Sequence, residues 1–448
     1  MPDLAGRGEV DRLPILLSGL GIEKLLAAPK LSAGSGQQMC DATMQALHDW
    51  NIPLNRVVSL CFDTTSSKTG IHRGACTLLE QQIRHGLLHT ACRHHIHEVI
   101  LSHVFKLCFG PSTGPEIKLF ERFRDSWCKI QTEAWIAINL DAEIYGELIS
   151  AATKFANETL ASIHQPRDDY KEFLQLSLSF LGSIPAKDTV FRAPGALHHA
   201  RWMAKALYAM KIYMFHHQFH VTDRELRSIR RFATFVALVY MEHWFRSPNS
   251  TSAPHNYLIL MKKLRKNREI DSEVAKCAEK AMAGHLWYLS EHLVSLALFS
   301  SEVASETKQA MLEAFEKPSK SKALKRLDGK SICNHLHMMN LDDFVTQRSK
   351  EFFTLLDIDL SLSLMQQHTP DKWDDLPEYR TARSTVAALK VINDAAERGV
   401  KLVSDYTKVI TRNEDQLQYL LQMVESHRRK FPDMRKTTVL KGLTSADP

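Results

Sequence analysis

The sequence predicts an α/β core that is interrupted by a large all-α insertion, leaving the chain mostly helical overall. Three observations predict it. Short β-prone apolar runs crowd the first hundred residues, helical periodicity fills residues 115–385 almost throughout, and a polar-studded helix follows at residues 387–410. That order suggests an insertion rather than two tandem domains. The expected division is 1–110 for the N-terminal part of the core and 111–385 for the helical insertion. A closing C-terminal helix at 386–430 and a tail at 431–448 complete it.

In chain order, Leu13–Ser18 (LPILLS) is a short apolar run suited to a buried strand. A helical pattern follows from about Gln37 to Trp50, with Met39, Met44, Leu47 and Trp50 near one face. The run from Val57 to Phe62 then ends abruptly at Asp63, followed by Thr64, Thr65, Ser66, Ser67 and Gly70. An amphipathic stretch surrounds Leu78, Leu79 and Ile83. A strand candidate spans Leu87–Cys92, and a helix is expected over His95–Leu107. In the insertion, Thr222-Asp223-Arg224-Glu225 is a capping-box signature ahead of a long run to Phe245. Ala275–Phe315 continues the helical pattern. Breaks fall at Gly110–Pro115, Pro166, Pro185–Pro194, Ser247–Pro254 and Pro318–Lys322, and no repeat of fixed period is present.

At 448 residues the chain exceeds the size at which single cores usually split. Its 57 Lys and Arg against 51 Asp and Glu give +6, which permits nucleic-acid binding without announcing it. Basic residues cluster at Lys262, Lys263, Arg265, Lys266 and Arg268, and again at Lys317, Lys320, Lys322, Lys325, Arg326 and Lys330. Such runs read as solvated helix ends or loops, with phosphate contact as the sharper alternative. Eight cysteines without disulfide-framework spacing suit a reducing compartment. The N-terminus has no apolar signal region and no stretch approaches 18 apolar residues, so a soluble cytosolic or nuclear protein without a membrane partner is expected.

A carboxylate delivered to the C-terminal edge of a buried strand sits where α/β folds place their chemistry. The bland reading of Asp63 is a turn or helix cap, which Asp before Thr and Ser often forms. Cys92-x-x-His95 has a spacing at which thiolate and imidazole can share a zinc ion, but a structural site needs two more ligands. Cys333, His335 and His337 are distant and irregularly spaced. A strand-to-helix junction with a buried Cys is therefore preferred over zinc. No nucleophile elbow, phosphate-binding loop or dinucleotide glycine pattern is present. What remains is carboxylate chemistry. Asp63 at a strand end and Glu397 on a late helix form a candidate pair of ligands for Mg²⁺ or Mn²⁺, as two-metal phosphoryl transfer requires.

The order of four features resembles the hAT-like DNA transposases, which carry a ribonuclease-H-like catalytic core. A helix ending in Trp50 leads to a strand finishing in Asp63-Thr64-Thr65-Ser66-Ser67, where the family has Asp-Asn-Ala-Ser-Asn. A Cys-x-x-His motif follows at Cys92 and His95, an Arg-Trp pair at Arg201-Trp202, and a small-residue run into Glu-Arg at Ala395-Ala396-Glu397-Arg398. The resemblance spans roughly residues 13–410. It implies that Asp63 and Glu397 are the second and third acids of an Asp-Asp-Glu triad holding Mg²⁺ or Mn²⁺. Cys92 and His95 would brace the core, while Trp202, with Arg201 and Arg398, would meet DNA, the indole stacking on an extruded base. It also implies a nuclear protein, with homo-oligomerisation open.

In the family the first triad Asp lies on an opening strand upstream of Leu13. Only Asp3, Glu9 and Asp11 precede Leu13, and none ends a strand-like run. The expectation is a truncated or domesticated copy, inactive in strand transfer. A non-catalytic DNA- or protein-binding adaptor is the second reading. A helical scaffold in which Asp63 and Glu397 never meet is the third.

Overall fold

The computed structural model describes residues 11–111, 117–162, 168–183, 191–194, 202–316, 336–393, 411 and 413–430. Among them the chain is mostly helical, and every strand lies before residue 92. It divides into two compact units. The first holds Met1–Cys92, Phe353–Leu360 and Pro377–Pro448, and the second holds Arg93–Phe352 and Ser361–Leu376. The second unit therefore interrupts the first along the chain, and the break falls at Cys92/Arg93.

The first unit opens with strands β1 (Asp11–Arg12), β2 (Ile15–Gly19), β3 (Ile22–Ala27) and β4 (Lys30–Leu31). β2 and β3 form an antiparallel hairpin whose turn needs Gly21 at φ +70, a conformation that costs glycine nothing. β1 pairs with β4. The apolar run at Leu13–Ser18 is thus a strand but not a buried one: Ile15 is buried while Leu16 is 36% exposed. Its only pairing among the described residues is β3, so no sheet covers it on both sides. Leu26 of β3 packs with Ile15, Ala46 and Leu47, the last two on helix α1 (Gly36–Asp49). Its neighbour Leu25 packs instead with Leu417 and Leu421 of the helix Glu414–Lys430. The hairpin lies between two helices because both of its faces carry a leucine.

Polar bonds fix that helix in place. Arg12, almost wholly buried, donates to both carboxylate oxygens of Glu414 (2.6 and 3.0 Å) and to the Ala28 carbonyl (2.9 Å). Gln418 accepts the Ala28 N–H and donates to its carbonyl, so the side chain completes backbone pairing that the strand edge lacks.

After α1 the chain forms β5 (Ser59–Phe62), helices α2 (Ser66–Thr69) and α3 (Ala75–Ile83), and β6 (Leu88–Ala91). β5 and β6 are parallel, with Phe62 opposite Ala91. This is a βαβ unit, and it sets Asp63 and Cys92 one residue beyond two neighbouring strand ends. The expected helix over Ala387–Ile410 is corrected in its described part. A helix spans Pro377–Ala387 and ends there, and residues 388–393 are not helical.

The second unit is built from α4 (Arg93–Phe109), α5 (Lys118–Ser126), α6 (Ala142–Ser162), α7 (Asp168–Phe180) and α8 (Trp202–Phe215). It continues with α9 (Asp223–Phe235), α10 (Met241–Arg246), α11 (Ala253–Lys266), α12 (Ser272–Ala283) and α13 (Ser305–Glu316). The capping box forms as read, with Thr222 and Glu225 bonded reciprocally (3.0 and 3.3 Å). The run beyond it reaches Arg246, but Val236–Tyr240 is a π-helical turn between α9 and α10. Pro254, read as part of a break, sits in the first turn of α11, where a missing N–H costs nothing.

Arg93 holds the break at residues 246–249 together. Its guanidinium, 1% exposed, donates to the carbonyls of Arg246 (3.0 Å), Ser247 (2.9 Å) and Asn249 (2.8 Å). The rings of Tyr257 and Tyr288 lie 5.6 and 5.8 Å from it.

Two further buried bases, His97 and His243, have ring centroids 6.3 Å apart, and neither Nε2 has a hydrogen-bond partner among the described residues. Burial holds both well below the usual imidazole value of 6.5. Arg93, His243 and His94 lower His97 further, and Lys263, Arg246 and Arg93 lower His243. In the unfolded chain both take up protons as pH falls below about 6.5, and in the folded chain they do not. The unfolded state then binds more protons, so stability is full above about pH 6.5 and declines below it. Urea midpoints at pH 7.5 and 5.5 should therefore differ, and His97→Gln with His243→Gln should narrow the difference.

Candidate functional site

β5 is apolar up to Phe62, which is buried, so the strand delivers Asp63 to the point where the sheet stops. The acid is engaged there by its own loop. Oδ1 accepts from the Thr65 N–H (3.1 Å) and hydroxyl (2.6 Å), and Oδ2 accepts from the Lys68 ammonium at 2.5 Å. Burial pushes the carboxyl up, but Lys68 and Thr65 outweigh it and hold it below the usual carboxylate value. The turn reading of Asp63 and its place at a strand end are thus both realised. Lys68 was not foreseen, although a lysine five residues after a strand-end acid, across one turn of a short helix, is a readable signal.

Glycines clamp the loop to the rest of the unit. A Cβ on Gly36 would lie 2.7 Å from the Ser67 carbonyl and 2.9 Å from the Ala75 nitrogen, both backbone atoms. One on Gly74 would lie 2.7 Å from the Lys68 carbonyl and would also strike the backbone of Gly70. Without a side chain at Gly36 the start of α1 can press directly on residues 67–75, and without one at Gly74 the loop can close on itself.

The end of β6 is braced separately. Cys92 is fully buried, and its N–H donates to the Phe62 carbonyl (2.6 Å). Its sulfur accepts the N–H of Asn393 (3.3 Å), and the Thr90 hydroxyl donates to the Lys390 carbonyl (2.8 Å). The chain leading toward Glu397 is thereby pinned to the strand end beside Asp63, four residues before Glu397 itself. No family model, curated protein or solved structure matches this chain.

Glu397, Arg398 and Arg201 lie outside the described residues. Trp202 opens α8, and its side chain lies outside them too. His95 is half-buried on α4, close enough to His285 for the two to interact electrostatically. Cys333 and His335 lie outside the description, and His337 is in a short 3-10 turn. Among the described residues no three His, Cys, Asp or Glu side chains converge as metal ligands. With the Lys68 ammonium on its Oδ2, Asp63 does not fit a divalent ion in this arrangement.

Three of the five basic residues at 262–268, at the end of α11 and just after it, pair with carboxylates within the chain. Lys263 pairs with Glu242 (2.8 Å), Lys266 with Glu147 (2.7 Å) and Arg268 with Glu279. The second basic run, Lys317–Lys330, lies outside the described residues. No helix among the described residues is long and apolar enough to cross a membrane.

Proposed function

We propose that the interrupted first unit is a transposase-derived core of the hAT-like, ribonuclease-H-like kind, acting as a DNA-binding body and not as a strand-cleaving enzyme. One observation carries this reading. Asp63 and Cys92 directly follow adjacent parallel strands, and Asn393, four positions before Glu397 in sequence, is bonded to Cys92. The order of strand-end acid, Cys-x-x-His junction, helical insertion and returning acid is the order the resemblance requires. Lys68 speaks against cleavage. An ammonium held on Asp63 supplies the countercharge that a metal ion would otherwise supply. Mg²⁺ or Mn²⁺ would have to displace it. Nuclear location belongs to this reading.

The test pairs two measurements on the full chain. Supercoiled plasmid incubated with Mn²⁺ should remain unnicked by the native chain, Asp63→Ala and Glu397→Ala alike. Duplex DNA should be shifted on a gel by all three, with binding weakening steeply as salt rises, because backbone contacts release counterions. Nicking by the native chain that both substitutions abolish would overturn the non-cleaving reading. Absence of any salt-sensitive shift would overturn DNA binding.

A further inference from the structure

A cavity of about 190 Å³ opens in the second unit between α9, the π-helical turn and the start of α12. Its apolar wall includes Leu140, Leu238, Val239 and Val274. Leu238 and Val239 belong to the π-helical turn, whose extra residue widens the helix at that point, and such turns recur at binding sites. Tyr145, Arg230, Thr234 and Asn267 supply the polar lining. The side-chain nitrogen of Asn267 has no hydrogen-bond partner among the described residues.

The charges at this cavity are not equivalent. Asp271 is fully used: it accepts from Arg231 Nε (2.6 Å) and Nη2 (2.8 Å) and from the Val274 N–H (3.1 Å). Arg231 is held further by Glu273 (2.8 Å). Arg230 is exposed, donates to the Asn139 carbonyl (2.8 Å), and has no carboxylate partner among the described residues. The lining therefore offers one uncompensated cation above an apolar wall. A cavity of roughly 150 Å³ accepts benzene, so this one has room for a six-membered ring with one small polar substituent.

We propose that this cavity is a binding site for a small ring-bearing carboxylate, with the ring against its apolar wall and the carboxylate on Arg230. Apolar burial supplies the affinity, and the single guanidinium supplies the preference for an anion.

Benzoate is the probe. Calorimetric titration of the full chain should give saturable binding at one site per chain. Benzyl alcohol, similar in size but neutral, should bind at least ten-fold more weakly. Arg230→Ala, at an exposed position, should fold normally by circular dichroism and weaken benzoate at least ten-fold, while Arg230→Lys should stay within three-fold of the native chain. Ala275→Leu, which fills the cavity wall, should remove binding. Titration without saturation, equal affinity for benzyl alcohol, or unchanged binding in Arg230→Ala would each overturn the proposal.

Discussion

Replacing Arg93 by alanine should destabilise the second unit by about 4 kcal/mol, the scale expected when a buried hydrogen-bonded charge is deleted and its partners stay behind. Three carbonyls, those of Arg246, Ser247 and Asn249, lose their donor in a region where Ser247 is fully buried. The space beside the packed rings of Tyr257 and Tyr288 is left vacant as well. Arg93→Met separates the two causes. It restores most of the volume yet supplies no donor, so it should recover only a minor part of the loss. Arg93→Lys keeps the charge but offers a compact ammonium in place of a planar fork, and should also fall well short. Urea unfolding followed by tryptophan fluorescence reads all three. A midpoint for Arg93→Ala within error of the native chain would show that the clamp contributes nothing.

Gly36→Ala should cost about 3 kcal/mol, at the upper end for overpacking, because the atoms in the way are backbone and not flexible side-chain ends. Relief requires the start of α1 to withdraw from residues 67–75, the loop that presents Lys68 to Asp63. The substitution should therefore do two things together: lower the melting temperature and raise the titration midpoint of the Asp63 carboxyl as Lys68 moves away. Carbon-detected NMR of the aspartates resolves the second effect. A melting change with the Asp63 titration unmoved would mean that the glycine contact and the ion pair are independent.

Much of the α/β order was legible. The Asp63 strand, the strand before Cys92, the helices after Gly36 and before Phe109, and the Thr222 capping box all follow local rules that tertiary packing reinforces. β3 was not legible. Its apolar residues, Ile22, Leu25, Leu26 and Ala27, do not alternate, because both faces of the strand are covered: Leu25 and Leu26, on opposite faces, pack against different helices. The stretch after Ala387 misled for a related reason. Its composition suits a helix, yet Lys390 and Asn393 spend backbone groups on Thr90 and Cys92, and Val391 is buried. Those bonds come from residues some 300 positions earlier, which no local window contains. The companions of Asp63 were hidden differently: Lys68 and Gly74 are close in sequence, but their meaning depends on α1 closing over them.

The bond between Arg12 and Glu414 spans 402 residues. A ribosome adding about 5–20 residues per second needs roughly 20–80 seconds to cover that distance. Throughout that interval Leu25 and Ala28 await Leu417 and Leu421, and before it ends every segment of the second unit has been made. The first unit begins synthesis first and finishes folding last. Its nascent hairpin, with one leucine face uncovered, is the part of this protein for which a chaperone would matter most.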